Sequence, residues 1–147
     1  MKETLARFQS LLDVTPEQLA QITEAASAKP GAPGKWSKKQ ILGHLIDSAS
    51  NNHQRFVRAQ LGSPLHFPAY AQELWVNAQN CQGESWQNLI ACWTSYNRHL
   101  LHVMRHIPAD KLGNACVIGD DPPVTLEFLI QDYVRHMELH LRQVLGK

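Results

Sequence analysis

Apolar residues recur at three- and four-residue intervals through four long stretches of the chain, and clusters of Pro and Gly separate those stretches. This is the pattern of amphipathic helices joined by turns. The first stretch, Lys2 to about Ala28, carries Leu5, Phe8, Leu11, Leu12, Leu19 and Ile22 on one side, and Thr15-Pro16 predicts a restart within it. It stops at Lys29-Pro30-Gly31-Ala32-Pro33-Gly34. The second has the clearest beginning: Ser37 with Gln40 forms a capping box, and Trp36 with Ile41 occupies the positions of a hydrophobic staple, so a helix is predicted from Lys38 to about Leu61. A third helix is predicted over Glu84 to Ile107, with Trp86, Leu89, Trp93, Tyr96, Leu100 and Met104 along one face, and Pro108 ends it. The residues from Ala109 to Pro123 read as turn. Thr125 then caps a last helix that runs to about Leu145 before Gly146.

No internal repeat interrupts this order, and a single domain spanning 1–147 is expected. The connection between the second and third helices, about Gly62 to Gly83, is longer than an antiparallel helix pair needs. It predicts an all-α four-helix bundle with a long crossover between helices two and three.

Composition adds limits. Hydrophobic residues make up 44% and charged residues 18% of the chain, and the formal net charge of +1 gives no long-range pull towards nucleic acid or an anionic membrane. Cys81, Cys92 and Cys116 are odd in number, widely spaced and free of a CxxC pair, so neither a disulfide framework nor a thiolate zinc site is indicated. Lys2, Glu3 and Arg7 stand where a signal peptide would be apolar, and no stretch has the run of apolar residues that a membrane span requires. The expectation is a cytoplasmic protein that acts on a small molecule.

Eight histidines are the unusual count. His136 and His140 lie four residues apart on the last helix, so both imidazoles leave one face at a spacing that a single ion can bridge. They border an apolar arc of Leu126, Leu129, Ile130, Tyr133, Val134, Met137, Leu141 and Val144, while Gln131, Arg135, Glu138 and Arg142 fall opposite. An isolated HxxxH pair is equally consistent with two half-exposed histidines. His44 is the candidate third ligand because it too borders an apolar arc, formed by Ile41, Leu45, Ala49 and Phe56. It lies ~10 Å inside the start of its helix, and His140 lies ~8 Å from the end of the last one. The two are level only if those helices are antiparallel, which the crossover provides. A plain up-down-up-down bundle would separate them by ~12 Å along the axis.

Three neutral imidazoles leave a position open for water or substrate, as in catalytic sites, and a divalent ion there lowers the pKa of bound water or of a thiol. Met137 stands where a zincin protease has its Glu, so that chemistry is disfavoured. Beyond His44 the same face of the second helix continues through Ser48, Asn51 and Arg55. Arg55 suits a carboxylate or phosphate on the substrate, whereas Ser48 and Asn51 read equally well as substrate contacts or as a partly solvated edge. Asp47 is placed to orient a ligand, although its direction leans towards solvent. His99, His102 and His106 form a rival set on the third helix, without a partner from another segment, and read as surface or packing residues. Tyr70 and Trp75 either wall a pocket above the ion or anchor the crossover.

Trp36-Ser37 leads into Gly43-His44-Leu45-Ile46-Asp47-Ser48, then Asn52 to Arg55-Phe56, with Asp132-Tyr133-Val134-Arg135-His136 to His140 near the C-terminus. In these residues the chain resembles the DinB superfamily, specifically the DinB-like, YfiT-type proteins described as metal-dependent hydrolases. The resemblance covers nearly the whole chain. It implies a bundle with crossover connectivity, frequent homodimerisation, and a three-histidine site for Ni²⁺, Zn²⁺ or a similar ion, with His44, His136 and His140 as ligands. It also implies either hydrolysis or transfer of an activated low-molecular-weight thiol to an electrophile. Cys81 and the histidines of the third helix have no place in it. The alternatives are a non-catalytic metal- or ligand-binding bundle and a metal-free helical interaction protein.

Overall fold

A computed structural model describes all 147 residues and is mostly helical. Six helices form: α1 (Lys2–Ala20), α2 (Glu24–Ala28), α3 (Lys38–Leu61), α4 (Gln72–Ala78), α5 (Trp86–Arg105) and α6 (Leu126–Leu145). The long ones, α1, α3, α5 and α6, are the bundle. None is long and apolar enough to cross a membrane.

Contacts along the helices fix their directions. Trp86, at the start of α5, donates its indole N–H to the Leu19 carbonyl at the end of α1 (3.0 Å), so these two are antiparallel. The N-terminal ammonium meets Glu127 at 3.1 Å and Lys147 meets Gln18 at 3.2 Å, so α1 and α6 are parallel. Lys38, at the start of α3, donates to the Val144 carbonyl near the end of α6, which makes that pair antiparallel. The Lys39 ammonium, buried at 4% exposure, donates to the Glu84 carbonyl (2.6 Å) and pairs with Glu24, holding the starts of α3 and α5 together. The order is thus up, down, down, up, with the crossover lying between α3 and α5 as expected.

Local signals account for most boundaries. Ser37 caps α3 with both bonds of the capping box present, and Thr125 caps α6 by accepting from the Phe128 N–H at 3.1 Å. Gly146 ends α6 at φ 71°, a left-handed conformation that glycine adopts without a Cβ clash. Each of the eight apolar-arc residues of α6 is buried.

Two expectations are corrected. Thr15-Pro16 does not restart the first helix: α1 runs through Pro16, and the break comes at residues 21–23, where Thr23 caps α2. Phe8, Leu12, Thr15 and Leu19 form one buried stripe, and the continuous burial outweighs the hydrogen bond that Pro16 cannot donate. The two long connections are also not plain turn. They supply β1 (Leu65–Phe67), β2 (Ala115–Ile118) and β3 (Val124–Thr125), with β1 parallel to β2 and β3 antiparallel to it, in register Leu65 to Cys116 and Ala115 to Thr125. This sheet ties the crossover to the segment that delivers α6. The crossover itself folds as β1, α4 and a 3₁₀ turn over Cys81–Gly83, packed on α3.

Candidate metal centre

Antiparallel α3 and α6 bring His44 level with the His136–His140 pair. His44 is fully buried, and the other two are partly exposed. The Nε2 atoms of His44 and His136 lie 3.3 Å apart, and the ligand atoms of all three histidines lie within 4.8 Å of one another. Nitrogens bound ~2.0–2.1 Å from a tetrahedral ion are separated by ~3.4 Å, so the first pair already has the spacing of an ion-binding edge and the third needs only a small adjustment. No other group of three or more His, Cys, Asp or Glu donors converges in this way.

Electrostatics keep the donors in the form an ion requires. Burial, followed by the neighbouring His136 and His140, lowers His44 to a pKa of about 4. Burial and His140 also lower His136, assisted by Arg135 and opposed by Asp132. Both imidazoles are therefore neutral at pH 7. The Nδ1 of His140 lies 3.0 Å from the Gln143 Oε1, a contact that makes Nδ1 the protonated nitrogen and frees Nε2. The Nδ1 of His44 is buried without a partner, so His44 turns its one engaged nitrogen towards the cluster. Three imidazoles whose ligand nitrogens lie within 4.8 Å of one another, with His44 and His136 held neutral, are a donor set that fits a divalent transition ion.

A cavity of about 300 Å³ opens beside His136 and is walled by Ser48, Asn52, Arg55, Tyr70 and Tyr133. A second opening, of about 550 Å³, lies by Trp36, Ile41 and Gln143, and Gln72 borders both. The Trp36 ring packs 5.3 Å from that of His44. The site is thus closed on the α3 side by protein and approachable from the cavity that His136 lines.

Of the other expected residues, Ser48 and Arg55 reach the His136 cavity. Asn51 does not: it lines a neighbouring cavity with Pro68, Tyr70 and Trp75, and Asn52 takes the place at the His136 side. The 100° turn per residue carries Asn51 past the cavity edge and brings Asn52 onto it. Trp75 is confined to that neighbouring cavity, whereas Tyr70 borders both.

Asp47 departs from its expected direction. It is 3% exposed, because the crossover covers that side of α3 and Gln79, which caps the end of α4, donates to its Oδ1 at 2.8 Å. Its Oδ2 has no partner, and burial raises its pKa against the opposing effect of Gln79. Cys81, also buried, packs on Gly43 in the same layer.

His99, His102 and His106 remain on the outer side of α5 and do not gather as ligands. Instead the His99 ring meets His53 of α3 at 5.2 Å, and His53 lies 3.2 Å from the Tyr96 hydroxyl. Sequence reasoning missed Asn52 and Gln143. The sign available for Gln143 was its position three residues after His140, within reach on the same helix face.

Fold and site together define a class: a four-helix bundle with a crossover, carrying an open three-histidine cluster between two antiparallel helices. The chain belongs to the DinB superfamily, whose family model matches residues 1–144. It is similar in structure to YfiT from Bacillus subtilis, described as a probable metal-dependent hydrolase with an unusual four-helix bundle topology. That match has a TM-score of 0.82 at 21% identity and covers 99% of this chain and 86% of YfiT. A mycothiol-dependent maleylpyruvate isomerase matches with a TM-score of 0.76 at 14% identity over 95% of this chain, which spans only 58% of the isomerase. A DinB-like protein from Bacillus subtilis matches with a TM-score of 0.69 at 13% identity, covering 98% and 87% of the two chains. At these identities the likeness establishes the fold. No curated protein matches the chain by sequence.

Proposed function

We propose that the protein is a metal-dependent enzyme acting on a small molecule, either a hydrolase or a transferase of a low-molecular-weight thiol, with His44, His136 and His140 holding one divalent ion, Ni²⁺ or Zn²⁺. The observation that carries this reading is the 3.3 Å approach of two neutral imidazoles from different helices at the mouth of a polar cavity. Similarity to YfiT, described as a probable metal-dependent hydrolase, and to a thiol-dependent isomerase supports the same chemistry.

When bound, such an ion supplies Lewis acidity and lowers the pKa of a water or thiol beside it. The chain's own groups do the rest. Gln143 sets the tautomer of His140, Trp36 and the core of α3 keep water from the His44 side, and Ser48, Asn52 and Tyr70 present hydroxyls and an amide to whatever enters the cavity. Burial pushes the Tyr70 hydroxyl up to about 12, so at neutral pH it donates a hydrogen bond.

The test is metal analysis of protein purified without chelator, with titration of Ni²⁺ and Zn²⁺ into metal-free protein. One equivalent bound by the parent and none by His136→Ala is the expected result, followed by turnover in a screen of esters, amides and thiol-plus-electrophile pairs. Equal ion binding by parent and variant refutes the ligand assignment. A site closed by a fourth protein donor would instead mark the protein as a non-catalytic metal binder.

A further inference from the structure

Arg55 is a cation without a counter-ion. No carboxylate lies within 4.0 Å of it. Its nearest polar contact is the Asn52 Oδ1, 3.4 Å from Nη1, and its Nε is buried with no partner at all. The guanidinium lies 5.5 Å from the centre of the Phe67 ring, which holds the side chain on one flank. An unpaired guanidinium in a half-buried position is costly unless something else completes it. Arg55 opens onto the cavity of about 300 Å³ that His136 also lines, and no other cation borders that cavity.

We propose that this cavity binds the substrate by a carboxylate placed on Arg55, with the reacting end of the molecule directed towards the His44, His136 and His140 cluster. The proposal rests on the metal-dependent reading above and names the substrate class for it. Five N–H donors in a planar fork suit a planar carboxylate. Ser48, Asn52 and Tyr70 flank it with further hydrogen-bonding groups. Phosphate would fit the same donors, but Asp121 and Asp132 stand at the rim of the cavity. Asp132 is paired with Arg135 and Asp121 sits on an exposed turn, so each repels weakly, and a dianion feels that repulsion twice over. The rim therefore favours a monoanion.

The distance between the two ends sets the size of the molecule. Arg55 follows His44 by eleven residues on α3, ~16 Å along the axis, and its side chain leans back towards the helix start, which leaves roughly 8–10 Å to bridge. At ~1.2 Å of reach per bond the anion and the reacting atom are about seven or eight bonds apart. A short acid such as acetate cannot occupy both ends at once.

Thiol-terminated acids of graded length test this directly, since sulfur binds the ion and the carboxylate seeks Arg55. Mercaptoacetate, 3-mercaptopropionate and 6-mercaptohexanoate are titrated into Co²⁺-loaded full-length protein, with the visible absorption of the ion as the signal. Uncharged 6-mercaptohexanol serves as the control. The expected result is a clear preference for 6-mercaptohexanoate over both shorter acids and over the alcohol. In Arg55→Met that preference falls ~10- to 100-fold, with the affinity for the alcohol and for Co²⁺ unchanged. Equal loss for acid and alcohol would assign Arg55 a structural part and overturn the proposal, as would no dependence on length. Tighter competition by inorganic phosphate than by hexanoate would overturn the choice of carboxylate.

Hexanoate binding to metal-free protein, followed by calorimetry in parent and Arg55→Met, separates the two readings. If no ion binds but hexanoate binds in an Arg55-dependent way, the metal assignment fails and the carboxylate site stands. If the ion binds and hexanoate does not, the reverse holds.

Discussion

Gly43 sits directly before His44 in the second turn of α3, and replacing it with alanine sets two effects of opposite sign against each other. Helix propensity alone favours alanine by ~1 kcal/mol at an interior position. Packing opposes it. A Cβ built on Gly43 would stand 2.5 Å from the Cys81 Sγ and 2.7 Å from the Cys81 Cβ, about 1 Å inside ordinary carbon contact. The Cβ is fixed to the backbone of the 3₁₀ turn, so rotating the thiol away relieves only half of the clash and the turn must move off α3. Overpacking of this kind costs ~1–3 kcal/mol, and with both atoms this close the upper end applies, leaving a net loss of about 2 kcal/mol. In a chain of this length that lowers Tm by roughly 4–8 °C, read by circular dichroism of the metal-free protein. Gly31→Ala is the control, since a Cβ there has nothing within 4 Å, and its melt should barely move. In a Cys81→Gly background the sign should reverse, with Gly43→Ala now raising Tm by ~2–4 °C through propensity alone. If Gly43→Ala is as stable as the parent, or more stable, the proposed packing of the crossover on α3 is wrong.

The depressed pKa of His44 carries a pH dependence. The folded state holds fewer protons than the unfolded state between about 4 and the ordinary value of 6.5, so metal-free protein keeps the full contribution above pH 6.5 and loses it as pH falls towards 4. Urea midpoints at pH 7.5, 6 and 5 should drop more steeply for the parent than for His44→Gln, and parallel profiles would refute the assignment. Tyr133→Phe removes the hydroxyl that donates to the buried Asn97 Oδ1 at 2.5 Å, and the stranded acceptor should cost ~1–3 kcal/mol in urea unfolding. Gln143→Ala should weaken Ni²⁺ or Zn²⁺ binding ~10-fold or more while leaving metal-free stability nearly unchanged; an unaltered Kd would show that His140 is oriented by other means. Saturating the parent with either ion at about 100 times its Kd should add ~2.7 kcal/mol of stability, a gain absent from His136→Ala.

Much of this was legible in the chain because several local signals agreed. Ser37 with Gln40, Thr125 and Gly146 marked helix ends independently of the apolar arcs, and the length of the 62–83 connection agreed with the depths of His44 and His140. The sheet was not legible, since β1 and β2 are three and four residues long, too short for a two-residue alternation to stand out, and lie about fifty residues apart. Asp47 misled because its surroundings come from α4, whose placement over α3 no helical wheel contains. Asn51 and Asn52 are adjacent in sequence, and only the angle of α3 against the crossover decides which of them meets the cavity.

The donors on α3 and α6 come from positions ninety-two residues apart, so an ion joining them would act as a reversible cross-link closing a loop of most of the chain. Because the unfolded chain no longer brings the two helices together, such an ion would stabilise the folded form by mass action and not by restraining the unfolded chain as a disulfide does. Unlike a disulfide, this link forms and breaks with the free ion concentration of the surroundings. Metal depletion would then raise the fraction of transiently opened molecules, and with it the susceptibility to proteolysis, without unfolding the chain outright.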